Sequence, residues 1–154
     1  MLKSLELPQQ IEIVSGGVQS HACIIAHSDF ASGDVIYVAE NVMFFDKRTY
    51  QTVQVGLETH LLDIVLAHLN HSCDPSTYID CSNQAPRLIA HKDIAKGDEL
   101  TFFYPSTELH MVQPFQCACG FDNCLGLITG ATELPAERLV GHRLNEHVKN
   151  SVLV

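Results

Sequence analysis

Positive charge is scarce in this sequence: nine Lys and Arg stand against eighteen Asp and Glu in 154 residues, a formal net charge of −9. Holding nucleic-acid phosphate needs a basic surface, so direct nucleic-acid binding is not expected. No apolar run approaches the roughly 18–20 residues of a membrane span, which predicts no membrane partner. Met1-Leu2-Lys3-Ser4-Leu5-Glu6 brings an acid early and no apolar segment follows it, so it does not read as a secretory leader. Low-complexity stretches and internal repeats are lacking as well. Together these absences predict a soluble, intracellular protein.

What is present is an ordinary globular composition, about 46% hydrophobic and 18% charged. The length corresponds to one domain able to bury a core without staples. The acidic balance permits a basic peptide substrate, though it serves solubility equally well. Six cysteines in a reducing compartment read as thiols or metal ligands before disulfides.

Short strands dominate the pattern. Ile11–Val14 ends at Ser15-Gly16-Gly17; Ala22–Ala26 and Val35–Ala39 follow, separated by a turn at Asp29–Asp34. Leu57, Leu61, Leu62, Val65, Leu66 and Leu69 recur at three- and four-residue spacing, which predicts a helix over 57–69. Turn chemistry at His71–Pro75 should stop it near Asn70. Arg87–Ala90 and Leu100–Tyr104 read as strands, the second entered through a turn at Lys96–Glu99. A looser region follows Pro105. A final helix is expected from Pro135, with Leu139, Val140, Leu144 and Val148 as its apolar stripe. The fold class is therefore mainly β with short helices, without the βαβ alternation of a dinucleotide-binding domain.

Cys117-Ala118-Cys119-Gly120-Phe121-Asp122-Asn123-Cys124 has the spacing C-x-C-x4-C. Three thiolates this close can converge on one cation, and sulfur ligands favour zinc. Structural zinc takes four ligands, so Cys73, Cys81 or a histidine must supply the fourth. The histidines show no H-x3-H spacing with a carboxylate partner.

Three segments resemble the SET-domain methyltransferases. Asn70-His71-Ser72-Cys73-Asp74-Pro75 resembles their N-H-S-C-x-P core, and Gly97–Tyr104 their G-[ED]-E-L-T-[FY]-x-Y segment. The cysteine cluster resembles the post-SET motif. Upstream, Asp29–Ile36 is similar to the family's I-x-x-G-[ED]-x-I segment, so the resemblance covers roughly residues 11–127. There are departures: Ser76 replaces the usual Asn, Phe103 the usual Asp, and Ser20-His21-Ala22-Cys23 a glycine-rich signature. No pre-SET cysteine array is present. These changes bear on substrate class more than on cofactor binding.

The resemblance implies a SET fold over residues 1–110, with small sheets around a knot-like crossing, and a zinc-binding post-SET segment over 111–128; the expected C-terminal helical extension over 129–154 lies outside it. It implies S-adenosylmethionine as cofactor, held by Asn70, His71 and Tyr104, with Phe115 and Leu125 as walls. Tyr104 would be the catalytic residue, orienting the nucleophile or contacting the methyl group. Phe102 and Tyr37 would line the substrate channel, where phenylalanine at 102 leaves more room for methyls than tyrosine. Cys73 becomes the fourth ligand of a structural zinc with Cys117, Cys119 and Cys124.

The expected activity is methylation of a lysine on a protein, such as a basic tail. The alternatives are a small-molecule amine or carboxylate as acceptor, or an inactive interaction module that keeps the fold. The C-terminal stripe could close the site or form a homodimer.

Overall fold

The computed structural model describes residues 7–15, 22–40 and 42–153. The expected turn at Gly16-Gly17 and half of the altered glycine segment (Ser20, His21) lie outside the described residues. Twelve short strands occur among those described: β1 Ile11–Val14, β2 Cys23–Ala26, β3 Val35–Val38, β4 Met43–Phe45, β5 Val53–Gln54, β6 His60–Leu62, β7 Asn70–His71, β8 Thr77–Asp80, β9 Arg87–Ala90, β10 Glu99–Phe102, β11 Phe115–Gln116 and β12 Leu127–Ile128. One α-helix, α1, spans Glu146–Val152, and single 3-10 turns sit at Leu66–His68, Tyr104–Ser106, Ala131–Glu133 and Ala136–Arg138.

The strands form small sheets of order β1-β2-β10-β7, β3-β9-β8 and β4-β6-β5, with β11-β12 as a separate ribbon. Alternation sets which face goes inward: in β2, Ile24 and Ala26 are buried while Cys23 and Ile25 are half-buried. Ile24 and Leu100, Ile79 and Leu88, and Leu61 bring one fully buried side chain or more from each larger sheet to a common core. Burying each such side chain stabilises by about 1.5–3 kcal/mol.

Two turns frame this core in the same way. Ala31-Ser32-Gly33-Asp34 and Ala95-Lys96-Gly97-Asp98 each place glycine at positive φ, +94° and +96°, a region that penalises a Cβ. In each, the aspartate carboxylate accepts the N–H three residues back, Ala31 at 2.9 Å and Ala95 at 3.0 Å. An isolated bridge joins Phe30 to Ile94 beside them. The G-D dipeptide thus launches β3 and β10 by one local device.

Residues 70–77 cross against 99–104. β7 runs parallel to β10, with Asn70 opposite Thr101 and His71 opposite Phe102. Ser76, which stands where the family has Asn, clamps the crossing: its Oγ accepts the Thr101 N–H at 3.0 Å and donates to the Glu99 carbonyl at 3.0 Å. Thr77 Oγ1 donates to the Thr101 carbonyl at 2.8 Å.

Four expected elements differ. No helix spans 57–69: Leu61 and Leu62 lie in β6, paired with β4 and β5, and Leu57 is exposed. Asp63 interrupts the run, because its Oδ1 accepts the N–H groups of both Val65 and Leu66 at 2.9 Å and starts a single 3-10 turn there. The spacing of the leucines reflected burial on both sides of this break. Asn70 and His71 are then strand, not a helix end followed by a turn. The strand expected over 100–104 ends at Phe102, and Tyr104 opens a 3-10 turn with Pro105. The helix expected from Pro135 is confined to Glu146–Val152, since Gly141 at φ +89° breaks the run and Val140 points into solvent.

The remaining stripe residues, Leu139, Leu144 and Val148, are buried in a second core with Phe103, Leu109 and Ala131. The C-terminal residues therefore pack onto the chain's own body just beyond β10. Asn145 fastens them: its Nδ2 donates to the carbonyls of Ile79 (2.9 Å) and Ser106 (3.1 Å), and its Oδ1 accepts the Cys81 N–H (2.8 Å).

Candidate active site and metal centre

The crossing delivers His71 and Tyr104 to each other. His71 Nδ1 accepts the backbone N–H of Tyr104 at 3.1 Å, which fixes the ring proton on Nε2. That nitrogen lies 3.3 Å from Cys73 Sγ. Burial, with the charge of His142 second, holds His71 down to about 4, so the ring is neutral at ordinary pH. One histidine thus ties the tyrosine segment to the cysteine cluster.

The Tyr104 hydroxyl donates to the Leu69 carbonyl at 2.7 Å. Its oxygen lone pairs are left free by that bond. Burial first, then the charges of Glu108 and Glu99, push the phenol up to about 12, so it works as a neutral hydroxyl. The Tyr104 ring packs against Phe102 at 4.8 Å, His71 at 5.3 Å and Phe115 at 5.9 Å between centroids. Phe103 points the other way, into the second core. Asn70 Nδ2 donates to Glu99 Oε1 at 2.9 Å and to the Ala22 carbonyl at 3.3 Å.

Asn70, His71, Phe102, Tyr104 and Phe115 line one open cleft of about 1370 Å³. Single-ligand sites occupy about 300–1,000 Å³, so this cleft has room for a nucleoside cofactor together with an acceptor. The other two expected site residues fall elsewhere. Tyr37 lies off the cleft, its hydroxyl donating to Asp63 Oδ2 at 2.7 Å. Leu125 is not in the cleft wall either; its N–H faces Cys73 Sγ at 3.4 Å and its side chain packs on the second core. Glu108 and Arg48 line the cleft but belong to none of the recognised motifs. The signal for Glu108 was a carboxylate four residues beyond Tyr104, in a segment otherwise poor in charge.

The four expected cysteines converge: Sγ atoms of Cys73, Cys117, Cys119 and Cys124 all lie within 4.8 Å of one another. Cys73 and Cys117 are 3.9 Å apart, far beyond a disulfide bond and close to the about 3.8 Å that a tetrahedron of 2.3 Å zinc–sulfur bonds requires. The donors around them suit thiolates, with the Cys119 N–H on Cys117 Sγ and the Leu125 N–H on Cys73 Sγ, both at 3.4 Å. Burial pushes Cys117 up to about 11 and raises Cys73 too. Burial also opposes ionisation of Cys119, yet the Phe121 and Cys73 backbone donors and its sulfur neighbours bring it down to about 7. A divalent cation is what would let all four ionise together. The residues present therefore fit a four-sulfur zinc site with no open position. Cys81 lies apart from this cluster.

Comparison with known proteins agrees with this geometry. Residues 21–105 match the family model of the SET domain. The chain is 39% identical over 145 residues to methyltransferase flvH of Aspergillus flavus, an alignment spanning 93% of this chain and 81% of that one. It is 35% identical over 75 residues to an H3 lysine-36 specific histone-lysine N-methyltransferase of Eremothecium gossypii, covering 46% of this chain but 11% of that protein. Its fold is similar to the crystal structure of KRYPTONITE in complex with mCHH DNA, an H3(1–15) peptide and SAH, with a TM-score of 0.58 at 17% identity, over 76% of this chain and 29% of that one. No helix among the described residues is long and apolar enough to cross a membrane.

Proposed function

The chain belongs to the SET-domain family and is an S-adenosylmethionine-dependent methyltransferase, and from that premise we propose that it methylates an amine, foremost the lysine side chain of a protein. The observation carrying this reading is the hydrogen bond from the Tyr104 N–H to His71 Nδ1, which unites two distant motifs in the wall of one cleft. S-adenosylmethionine, when bound, supplies an electrophilic methyl group on a sulfonium.

The chain's own residues do the rest. Asn70 and His71 would hold the cofactor, Asn70 through its side chain and His71 through its backbone because both its ring nitrogens are engaged, and Phe115 would offer an aromatic wall. Tyr104 presents a neutral oxygen, anchored on the Leu69 carbonyl, to which the reacting methyl can make a weak C–H···O contact. Phe102 walls the acceptor channel. Much of the rate comes from aligning nucleophile, methyl and sulfur while excluding water. Cys73, Cys117, Cys119 and Cys124 hold a structural zinc that pins residues 111–128 beside the cleft, with the catalytic body before them and a packing extension after residue 128.

A second reading keeps the chemistry and changes the acceptor to a small molecule. It is supported by Phe103, which stands where the family carries aspartate beside Tyr104, and the match to the histone-lysine enzyme covers only about a tenth of that protein. The test is methyl-labelled S-adenosylmethionine with the protein, basic peptides and a cell extract split into macromolecular and small-molecule fractions. Label on lysine in the macromolecular fraction supports the first reading and label on a small amine the second. Label on oxygen alone sinks both amine readings.

A further inference from the structure

We propose that Glu108 is the cation-recognising carboxylate of the acceptor site, holding the ammonium form of the amine beside Tyr104 before methylation. The inference rests on the amine reading above and deepens it. It concerns recognition only, not the transfer of the methyl group.

Position comes first. Glu108 sits where the 3-10 turn of Tyr104–Ser106 ends, its own N–H donating to the Tyr104 carbonyl at 3.0 Å. It lines the cleft together with Tyr104 and Phe102. One carboxylate oxygen, Oε2, accepts the Gln54 N–H at 2.9 Å and the Thr107 hydroxyl at 2.7 Å. The Gln54 side chain in turn accepts the Leu109 N–H at 2.9 Å. The carboxylate is thus held from both sides, and a solvated surface glutamate would have no such frame.

Charge comes second. Among the described residues no lysine, arginine or histidine nitrogen makes an ion pair with Glu108. Arg48, also in the cleft wall, acts on it only through space. A half-buried carboxylate without a paired cation is costly. Burial pushes Glu108 up to about 7, against the opposing bonds from Gln54 and Thr107. Its charge in turn falls on the Tyr104 phenol. A ligand ammonium entering beside Tyr104 would relieve the carboxylate and be selected by it over an uncharged isostere.

The cofactor also carries cations, a sulfonium and an α-ammonium, so both sources of positive charge need their own arm. Glu99, bonded to Asn70 on the β7–β10 side, is already an acidic neighbour for the cofactor, which leaves Glu108 to the acceptor. With S-adenosylhomocysteine bound, n-butylammonium and its isostere 1-butanol are titrated by NMR into wild type, Glu108→Gln and Glu108→Asp. S-adenosylhomocysteine itself is titrated calorimetrically into the same proteins. Glutamine can accept both framing hydrogen bonds and removes only the charge.

Wild type is expected to bind n-butylammonium more tightly than 1-butanol. Glu108→Gln should weaken the ammonium at least tenfold while 1-butanol and S-adenosylhomocysteine stay within about threefold. Equal ammonium binding by wild type and Glu108→Gln overturns the proposal, as does a wild type with no preference for the ammonium. Loss confined to S-adenosylhomocysteine assigns the carboxylate to the cofactor and overturns it too. Should Glu108→Gln fail to fold, Glu108→Asp carries the test, and loss of the ammonium preference is expected from the retracted charge; an unchanged preference sinks the idea. Failure of the amine reading is seen separately, as methyl label on oxygen.

Discussion

His142 lies flat on Phe103, with ring centroids 3.6 Å apart and planes 5° from parallel. The stack accounts for the phenylalanine beside Tyr104, where the family carries aspartate. Phe103 is buried in the second core, and an aspartate there would be an unpaired charge against Leu109, Leu139 and Val148. The C-terminal extension and the altered motif belong together. His142→Ala should therefore lower stability by about 1–2 kcal/mol, the scale of a lost aromatic pair with some burial. A urea midpoint unchanged in that variant would mean the extension is merely resting on the body.

Acid should weaken the fold. Burial is the first cause that lowers His60, His91, His142 and His147, with Arg48, Arg143 and Lys92 adding to the effect at His60 and His91. The unfolded chain takes up protons on these rings near pH 6.5 while the folded chain resists. Their stabilising contribution is complete above that pH and is lost as pH falls below it. Glu108 runs the other way: its folded value, about 7, lies above the unfolded one, so it destabilises most above pH 7. Glu108→Gln should gain no more than about 3 kcal/mol at pH 8 and close to nothing at pH 4.5. Denaturant midpoints at pH 8, 6.5 and 5 check both arms. A Glu108→Gln midpoint that is flat from pH 7 to 5, where the opposing glutamate is gone, contradicts the first, and an equal gain over wild type at all pH values contradicts the second.

Metal content and stability should fall together in Cys119→Ser. The hydroxyl is a poor replacement for a thiolate, and ligation energy is folding energy for residues 117–124. Emission spectrometry of metal-repleted protein should give one zinc per chain in wild type and well under one in the variant, with a lower melting temperature. A full complement of zinc in Cys119→Ser would break the four-cysteine assignment.

Much of the candidate site was legible because the residues that come together in it lie in contiguous motifs. Asn70–Pro75, Gly97–Tyr104 and Cys117–Cys124 each carry their chemistry within eight residues, and Cys73 could be paired with the cluster through the resemblance. The misplaced features depend on contacts that no local pattern encodes. The leucines of 57–69 have helical spacing, yet the Asp63 carboxylate captures two backbone N–H groups and sends Leu61 into a sheet. Gly130 shows the same limit: a Cβ there would collide with the backbone of Leu109 and His110, a long-range constraint invisible in the sequence around it. Glu108 escaped notice because the frame on which its proposed role rests comes from Gln54, more than fifty residues away.

The hydroxyl of Tyr104 is the sharpest point of the proposed mechanism. Tyr104→Phe removes the 2.7 Å bond to the Leu69 carbonyl, for a stability loss of about 1 kcal/mol. The ring contacts with Phe102, His71 and Phe115 should persist, so cofactor affinity should change little. If the oxygen orients the reacting methyl, kcat should fall by at least about tenfold, equivalent to 1.4 kcal/mol of transition-state stabilisation. Single-turnover transfer of labelled methyl at saturating cofactor separates these effects. An unchanged rate would leave Tyr104 a packing residue and move the orienting task to the backbone carbonyls of the crossing, whereas a slow rate with intact cofactor binding ties the loss to the hydroxyl itself.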